Sequence, residues 1–102
     1  MKLLPTTVAA LSLLAATGVA HAADPDLARN LAATCATCHG TNGQAVQGAG
    51  MEALAGTDKA KALQRLSEFR SGVKPASIMH QISKGFTDEQ LDLIITYFAA
   101  QK

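Results

Sequence analysis

Cys35, Cys38 and His39 form a short cluster whose residue types and spacing could carry chemistry. Two thiols three positions apart on a helix lie on the same face, so both can bond to one bound group. The imidazole that follows directly can bind a metal ion through one of its ring nitrogens. In an exported protein, the C-x-x-C-H pattern is typical of c-type haem attachment, with each thiol joined to one vinyl group and the imidazole on the iron.

Three other kinds of site would use the same residues. Cys35 and Cys38 can form a disulfide in an oxidising compartment. A thioredoxin-like C-x-x-C needs a βαβ context, and no strand pattern accompanies this motif. A structural zinc site needs four ligands, which the motif and His80 supply in number but not in a recognised spacing. The motif and the exported compartment together favour haem.

A haem iron bound by His39 has a second axial position, for which Met51, Met79 and His80 are the candidates. Met51 follows His39 after 12 residues, which leaves little chain to cross the haem edge, whereas Met79 follows after 40. A thioether opposite a histidine raises the reduction potential. The spacing favours Met79 and leaves His80, Met51 or an open position as alternatives. Since successive helical residues point about 100° apart, only one of Met79 and His80 can bind.

The first 22 residues have the three parts of a secretory signal peptide. Lys2 gives a positive start, an apolar run follows, and Ala20-His21-Ala22 supplies small residues before a cleavage site. A membrane anchor is the alternative, but the run is short and contains serine and threonine. We expect cleavage after Ala22, which leaves residues 23–102 as a soluble domain in the bacterial periplasm. Those residues contain no apolar run long enough to span a bilayer.

Composition excludes several function classes. The 102 residues suffice for one small domain. The aromatic content of 4%, with no tryptophan, disfavours a β-sandwich. The net charge of +1 falls to zero without Lys2, which argues against nucleic-acid binding through a basic patch. Alanine makes up much of the apolar content of residues 23–102, so large apolar side chains are few and a cofactor could complete the core.

The sequence predicts an all-α fold, with helices at about residues 25–37, 58–70, 75–85 and 88–100. Asp24, Thr57 and Thr87 are the predicted N-caps, and Gly72 is the predicted end of the second helix. The glycine-rich stretch 40–56 is predicted to be a loop. The side chains expected to face inward are Leu27, Leu31, Cys35, Leu63, Leu66, Phe69, Leu91, Ile94, Ile95 and Phe98, and the short third helix is expected to carry Ile78, Met79 and Ile82.

These features resemble the class I c-type cytochromes over essentially all of residues 23–102. The nearest likeness is to small bacterial cytochromes related to the haem subunit of flavocytochrome c sulfide dehydrogenase. The runs that carry it are Cys38-His39-Gly40-Thr41-Asn42-Gly43, Leu54-Ala55-Gly56, Phe69-Arg70-Ser71-Gly72, Ser77-Ile78-Met79, Lys84-Gly85-Phe86-Thr87-Asp88-Glu89-Gln90 and Tyr97-Phe98.

The resemblance implies a small cytochrome c fold of about four helices around one covalently bound haem. It implies Cys35 and Cys38 as thioether donors, and His39 and Met79 as the axial ligands of the iron. The first and last helices should cross, which would place Leu27 and Leu31 near Ile94, Tyr97 and Phe98. Members of the family usually have a proline in the loop before Leu-Ala-Gly, whose carbonyl accepts the imidazole N–H. Residues 48–53 contain no proline, so the partner of His39 is left open.

The favoured function is an electron carrier, not an enzyme, which passes single electrons between a donor dehydrogenase and an acceptor oxidase or reductase. Lys59, Lys61, Lys74 and Lys84 could serve as docking charges for these partners, or could simply lie on solvated helix faces. A second hypothesis is the haem subunit of a flavoprotein sulfide dehydrogenase. A third is a gas-binding or peroxidase-like haem protein with an open iron site, for which His80 is the candidate acid–base residue.

Overall fold

The computed structural model describes Lys2 and residues 23–102. Within these residues four helices follow one another without a strand: α1 Leu27–His39, α2 Lys59–Ser71, α3 Met79–Lys84 and α4 Asp88–Ala99. A short 3-10 turn, Thr41–Gly43, follows α1. The all-α class predicted from the sequence is confirmed. The predicted signal peptide, residues 1–22, lies outside the described residues apart from Lys2, and it stays a prediction.

The core forms where α1 crosses α4, as the resemblance implied. From α4, Leu91, Ile94, Ile95 and Phe98 are buried, and Phe98 is fully enclosed. The buried residue of α1 is Ala32, because a small side chain lets the two helices approach closely. Leu31, Leu63 and Leu66 are partly buried against this cluster, whereas Leu27 is 43% exposed, so its predicted inward position is wrong.

Capping side chains determine where α2 and α4 begin. The Thr87 hydroxyl oxygen accepts the Gln90 N–H at 3.1 Å, and the Gln90 side chain accepts the Thr87 N–H at 2.9 Å, which confirms the predicted capping box. The cap of α2 is Asp58 and not the predicted Thr57, since Asp58 Oδ1 accepts the Lys61 N–H at 3.0 Å. Gly72 ends α2 with a φ of 82°, as predicted.

The first helix begins later and ends later than the sequence predicted. Asp24 Oδ1 accepts the Asp26 N–H at 2.9 Å, so Asp24 forms a turn ahead of the helix and is not its cap. Leu27 is the first helical residue, and α1 continues to His39. The last turn of α1 therefore carries both cysteines and the histidine.

The third helix is shorter than predicted and begins at Met79, not at Pro75. Ile78, which was predicted to lie within this helix, has a φ of −143°, is 55% exposed and precedes the first helical residue. Ser83 is buried, and its hydroxyl donates to the Met79 carbonyl oxygen at 2.7 Å. This hydrogen bond fixes the first turn of α3 and with it the backbone of Met79.

A turn that contains Gly40 and Gly43 follows α1. Gly40 has a φ of 89°, and a Cβ at this position would lie 2.0 Å from the Gln44 carbonyl oxygen, so only glycine fits. The Gly43 carbonyl accepts the N–H groups of Leu54 and Ala55 at 2.8 and 3.0 Å. These hydrogen bonds hold the two ends of the loop that contains residues 44–53 together at the Gly43 carbonyl.

Candidate functional site

A mostly apolar cavity of about 240 Å³ lies between the helices, and every helix contributes to its wall. It contains all four residues that the sequence predicted for the site, which are Cys35, Cys38, His39 and Met79. The apolar wall includes Leu54, Leu66, Phe69, Ile78, Ile82, Phe86, Leu91, Ile94 and Ile95. Such a lining, with a few convergent polar and sulfur groups, is what a cofactor site provides.

Cys35 and Cys38 are both free thiols in the structure, which gives no support to the alternative disulfide. Cys35 is half-buried against the core cluster, and Cys38 is exposed. Burial raises the pKa of the Cys35 thiol, and the charge of a nearby Cys38 thiolate would raise it further. Among the residues that the structure describes, no cluster of three or more histidine, cysteine or acidic side chains could hold a metal ion. This gives no support to the zinc alternative.

The His39 ring has one nitrogen already engaged. Its Nδ1 lies 2.6 Å from the carbonyl oxygen of Glu52, and since a carbonyl can only accept, Nδ1 carries the proton and donates. This tautomer has its lone pair on Nε2, the nitrogen left free to bind a metal. The partner of His39, which the proline-free loop had left open, is therefore the Glu52 carbonyl.

The Glu52 side chain is held by α2. Arg65 Nη1 lies 2.5 and 2.6 Å from the two carboxylate oxygens of Glu52. Both residues also line the cavity, on the side that contains His39. Sequence reasoning missed Glu52 and Arg65, because a glutamate in a loop and an arginine on a helix 13 positions later gave no local pattern.

Met79 and Met51 both line the cavity, but they come from different elements. Met51 directly precedes Glu52, so it belongs to the loop segment that bonds to His39. Met79 begins α3, a helix that packs on α2. His80 is not part of the wall, and its Nδ1 is buried without a hydrogen-bond partner. The structure thus brings together Cys35, Cys38, His39 and Met79 and leaves His80 apart.

The four lysines suggested as docking charges lie outside the cavity wall. Lys59 Nζ forms an ion pair with Asp92 at 2.9 Å, and Lys74 Nζ lies 5.8 Å from the centre of the Phe69 ring. Lys59 is therefore already engaged by a neighbour on α4. A docking role for Lys59, Lys61, Lys74 and Lys84 stays a prediction.

The donor set fits a c-type haem. Two free thiols on one helical turn, an imidazole with Nε2 free, and a thioether from another helix surround an apolar cavity. Thioether bonds need reduced cysteines, and iron in such proteins takes histidine and methionine ligands. A low-polarity wall would also exclude water from the bound group.

Comparison with known proteins gives an independent result. The family model described as "Cytochrome c" matches residues 26–102. The "Thiosulfate dehydrogenase electron acceptor" of Stutzerimonas stutzeri is 38% identical over 63 residues, which cover 62% of this chain and 29% of that protein. The "Cytochrome c4" of Pseudomonas aeruginosa is 32% identical over 96 residues, which cover 93% of this chain and 47% of that protein.

The "Cytochrome subunit of sulfide dehydrogenase" of Chlorobaculum tepidum is 31% identical over 68 residues, which cover 67% of this chain and 60% of that protein. The chain therefore spans 29% to 60% of the length of these three relatives. The similarity to the sulfide dehydrogenase subunit agrees with the resemblance found in the sequence.

Proposed function

The chain belongs to the cytochrome c family, whose domain carries covalently bound haem c and works in electron transfer, and we propose that it is a periplasmic monohaem carrier with His39 and Met79 as axial ligands. The observation that supports this most directly is the cavity wall, which contains Cys35, Cys38, His39 and Met79 together. Its redox partners are other proteins, and the carrier itself catalyses no substrate reaction.

In this proposal Cys35 and Cys38 would each form one thioether bond to the haem. His39 Nε2 and the Met79 sulfur would bind the iron. The bound haem supplies a centre that accepts and releases one electron without breaking a bond. The Nδ1–H of His39 stays bonded to the Glu52 carbonyl, which holds the ring orientation and increases the basicity of Nε2.

The remaining residues of the wall protect and orient the group. Apolar side chains from α2, α3 and α4 would keep water out, and this would stabilise the reduced state by lowering the local polarity. Ser83 donates to the Met79 carbonyl and so restrains the backbone that carries the proposed sulfur ligand. With His39 and Met79 both bound to it, the iron would have no position left for a substrate.

A periplasmic location rests on the sequence of residues 1–22, with Lys2, an apolar run and the Ala20-His21-Ala22 site. Residues 23–102 would be the mature cytochrome domain. No helix in the described part of the chain is long and apolar enough to cross a membrane. The proposed donor is a dehydrogenase for reduced sulfur compounds, because two relatives carry names from that chemistry.

A second candidate function is the haem subunit of a flavoprotein sulfide dehydrogenase, which the similarity to the Chlorobaculum tepidum protein favours. The two proposals differ in whether the partner is permanent. Gel filtration of the protein purified from its native source decides between them. A flavoprotein that stays bound in stoichiometric amount supports the subunit, and elution as a flavin-free protein supports the carrier.

The ligand assignment is tested by Met79→Ala, with Met51→Ala as the matched control from the same cavity. Oxidised wild-type protein should show the weak near-infrared band of a sulfur–iron bond. The band should disappear in Met79→Ala and persist in Met51→Ala. Loss of the band in Met51→Ala alone would reverse the assignment.

The rate of carbon monoxide binding is a second test of the ligand assignment. Reduced wild-type protein should bind it slowly, and Met79→Ala should bind it rapidly, because the variant has a free axial position. Rapid binding by the wild type would instead support the gas-binding or peroxidase-like alternative.

A further inference from the structure

We propose that the ion pair between Arg65 and Glu52 is a positioning device for the proximal imidazole. The inference rests on the proposed role of His39 as an iron ligand. It is argued from three hydrogen bonds that link Arg65 to Glu52 and Glu52 to His39. Arg65 Nη1 contacts both carboxylate oxygens of Glu52 at 2.5 and 2.6 Å, and the backbone carbonyl of the same glutamate accepts the His39 Nδ1–H at 2.6 Å. One residue thus has its side chain held by α2 and its backbone bonded to His39.

The loop around Glu52 has little else to hold it in place. The nearest backbone hydrogen bonds along the chain are Ala49 N–H to Val46 and Leu54 N–H to Gly43. Glu52 and its neighbours Met51 and Ala53 are exposed. No proline restricts the backbone of residues 48–53, and Gly48 and Gly50 both have positive φ with open space where a Cβ would stand. The position of the segment that supplies the accepting carbonyl therefore depends on the ion pair between Arg65 and Glu52.

The contact geometry explains why a charged pair of side chains suits this positioning role. A carboxylate that meets a guanidinium makes short, charge-assisted hydrogen bonds, which restrain a side chain more strongly than neutral ones do. Arg65 lies in the middle of α2, one turn from residues packed on the core, so its backbone is fixed. Arg65 acts through Glu52 and is a positioning residue, not an iron ligand.

The partners are 41% and 60% exposed, which limits the size of the effect. An exposed ion pair shifts a local opening equilibrium by about two- to five-fold. We therefore expect the exchange of the His39 Nδ1 proton with solvent to become about two to five times faster when either partner loses its charge.

The experiment uses the reduced holoprotein and follows the His39 Nδ1 proton by NMR. Arg65→Gln and Glu52→Gln remove one charge each, and Glu52→Gln leaves the accepting backbone carbonyl in place. Both should speed up exchange. The double variant should exchange no faster than the faster single variant, because the two residues act as one unit. Arg65→Lys should restore most of the protection, since a single Nη1 atom makes both contacts to Glu52.

Arg70→Gln is the matched control. Arg70 lies on the same helix and also forms an ion pair, with Asp88, but it does not line the cavity. Its removal should leave the exchange of the His39 proton at the wild-type rate. An equal acceleration in Arg70→Gln would mean that loss of any α2 ion pair loosens the fold, and this would overturn the proposal.

The reduction potential separates positioning from a direct charge effect. A weaker hydrogen bond to Nδ1–H makes Nε2 less basic, so both single variants should shift the potential upward. Direct electrostatics would lower the potential in Arg65→Gln and raise it in Glu52→Gln. Shifts of opposite sign with unchanged proton exchange would overturn the proposal. Absorption spectra check the premise: if the variants keep a sulfur- and histidine-bound iron, a negative result concerns positioning and not the ligand assignment.

Discussion

Gly43→Ala should destabilise this protein, because the added methyl group would lie too close to neighbouring atoms. Gly43 is buried, has a φ of 76°, and packs where the turn after α1 meets α4. A Cβ at this position would lie 2.6 Å from the Ala55 backbone nitrogen and 2.8 Å from Cδ1 of Phe98. The phenylalanine is fully enclosed and the nitrogen belongs to the backbone, so neither atom can move aside without disturbing the core.

The magnitude is the sum of three effects on the free energy of unfolding. A left-handed backbone costs a non-glycine residue about 1–2 kcal/mol. Forcing a methyl group into a packed site costs about 1–3 kcal/mol. The lower entropy of the unfolded alanine chain offsets about 0.4–1 kcal/mol. The middles of these ranges give a net loss of about 3 kcal/mol, a large part of the stability of a small domain.

Gly48→Ala is the control, because Gly48 has a φ of 82° but nothing lies within 4 Å of the position of its Cβ. It should lose about 1 kcal/mol or less, since it has the backbone cost without the packing cost. The assay is guanidinium unfolding of both holoproteins, followed by helical circular dichroism. With a slope of about 2 kcal/mol per molar, Gly43→Ala should lower the midpoint by about 1–2 M and Gly48→Ala by less than about 0.5 M. Equal shifts would refute the packing argument.

Two further predictions concern a helix cap and a thiol. Thr87→Ala should lower the free energy of unfolding by about 1 kcal/mol, because it removes half of the capping box of α4, while Thr87→Ser should stay near the wild type in the same thermal or guanidinium assay. In chain produced without haem, alkylation should reach the exposed Cys38 before the half-buried Cys35, as peptide mapping by mass spectrometry would show. The raised pKa leaves less Cys35 thiolate at neutral pH, so its alkylation rate should climb at a higher pH than that of an ordinary thiol, and equal rates for the two cysteines at neutral pH would contradict the structure.

The parts of the molecule that the sequence predicted correctly depend on neighbours along the chain. The capping box at Thr87 and the helix end at Gly72 each involve residues within one turn, so their pattern is visible in the sequence. The C-x-x-C-H motif likewise places its three side chains on the last turn of one helix.

The parts that were missed depend on tertiary contacts. The sequence favoured Leu27 as a core residue, but the crossing of α1 and α4 selects the smaller Ala32. Pro75 is compatible with a helix start, yet the backbone of Ile78 is not helical and α3 begins at Met79. The carbonyl partner of His39 comes from Glu52, whose position depends on Arg65 of α2 and so could not be read from the loop alone.

The open tip of the loop around Gly48 and Gly50 makes this protein suitable for attachment to an electrode. Ala49 lies between these two glycines, and a Cβ added at either glycine would have no atom within 4 Å. Met51, which lines the cavity, is two residues away, and two residues span at most about 7 Å. A peptide tether inserted at Ala49 would therefore hold a conducting surface close to the proposed haem site, on a segment that lies outside all four helices.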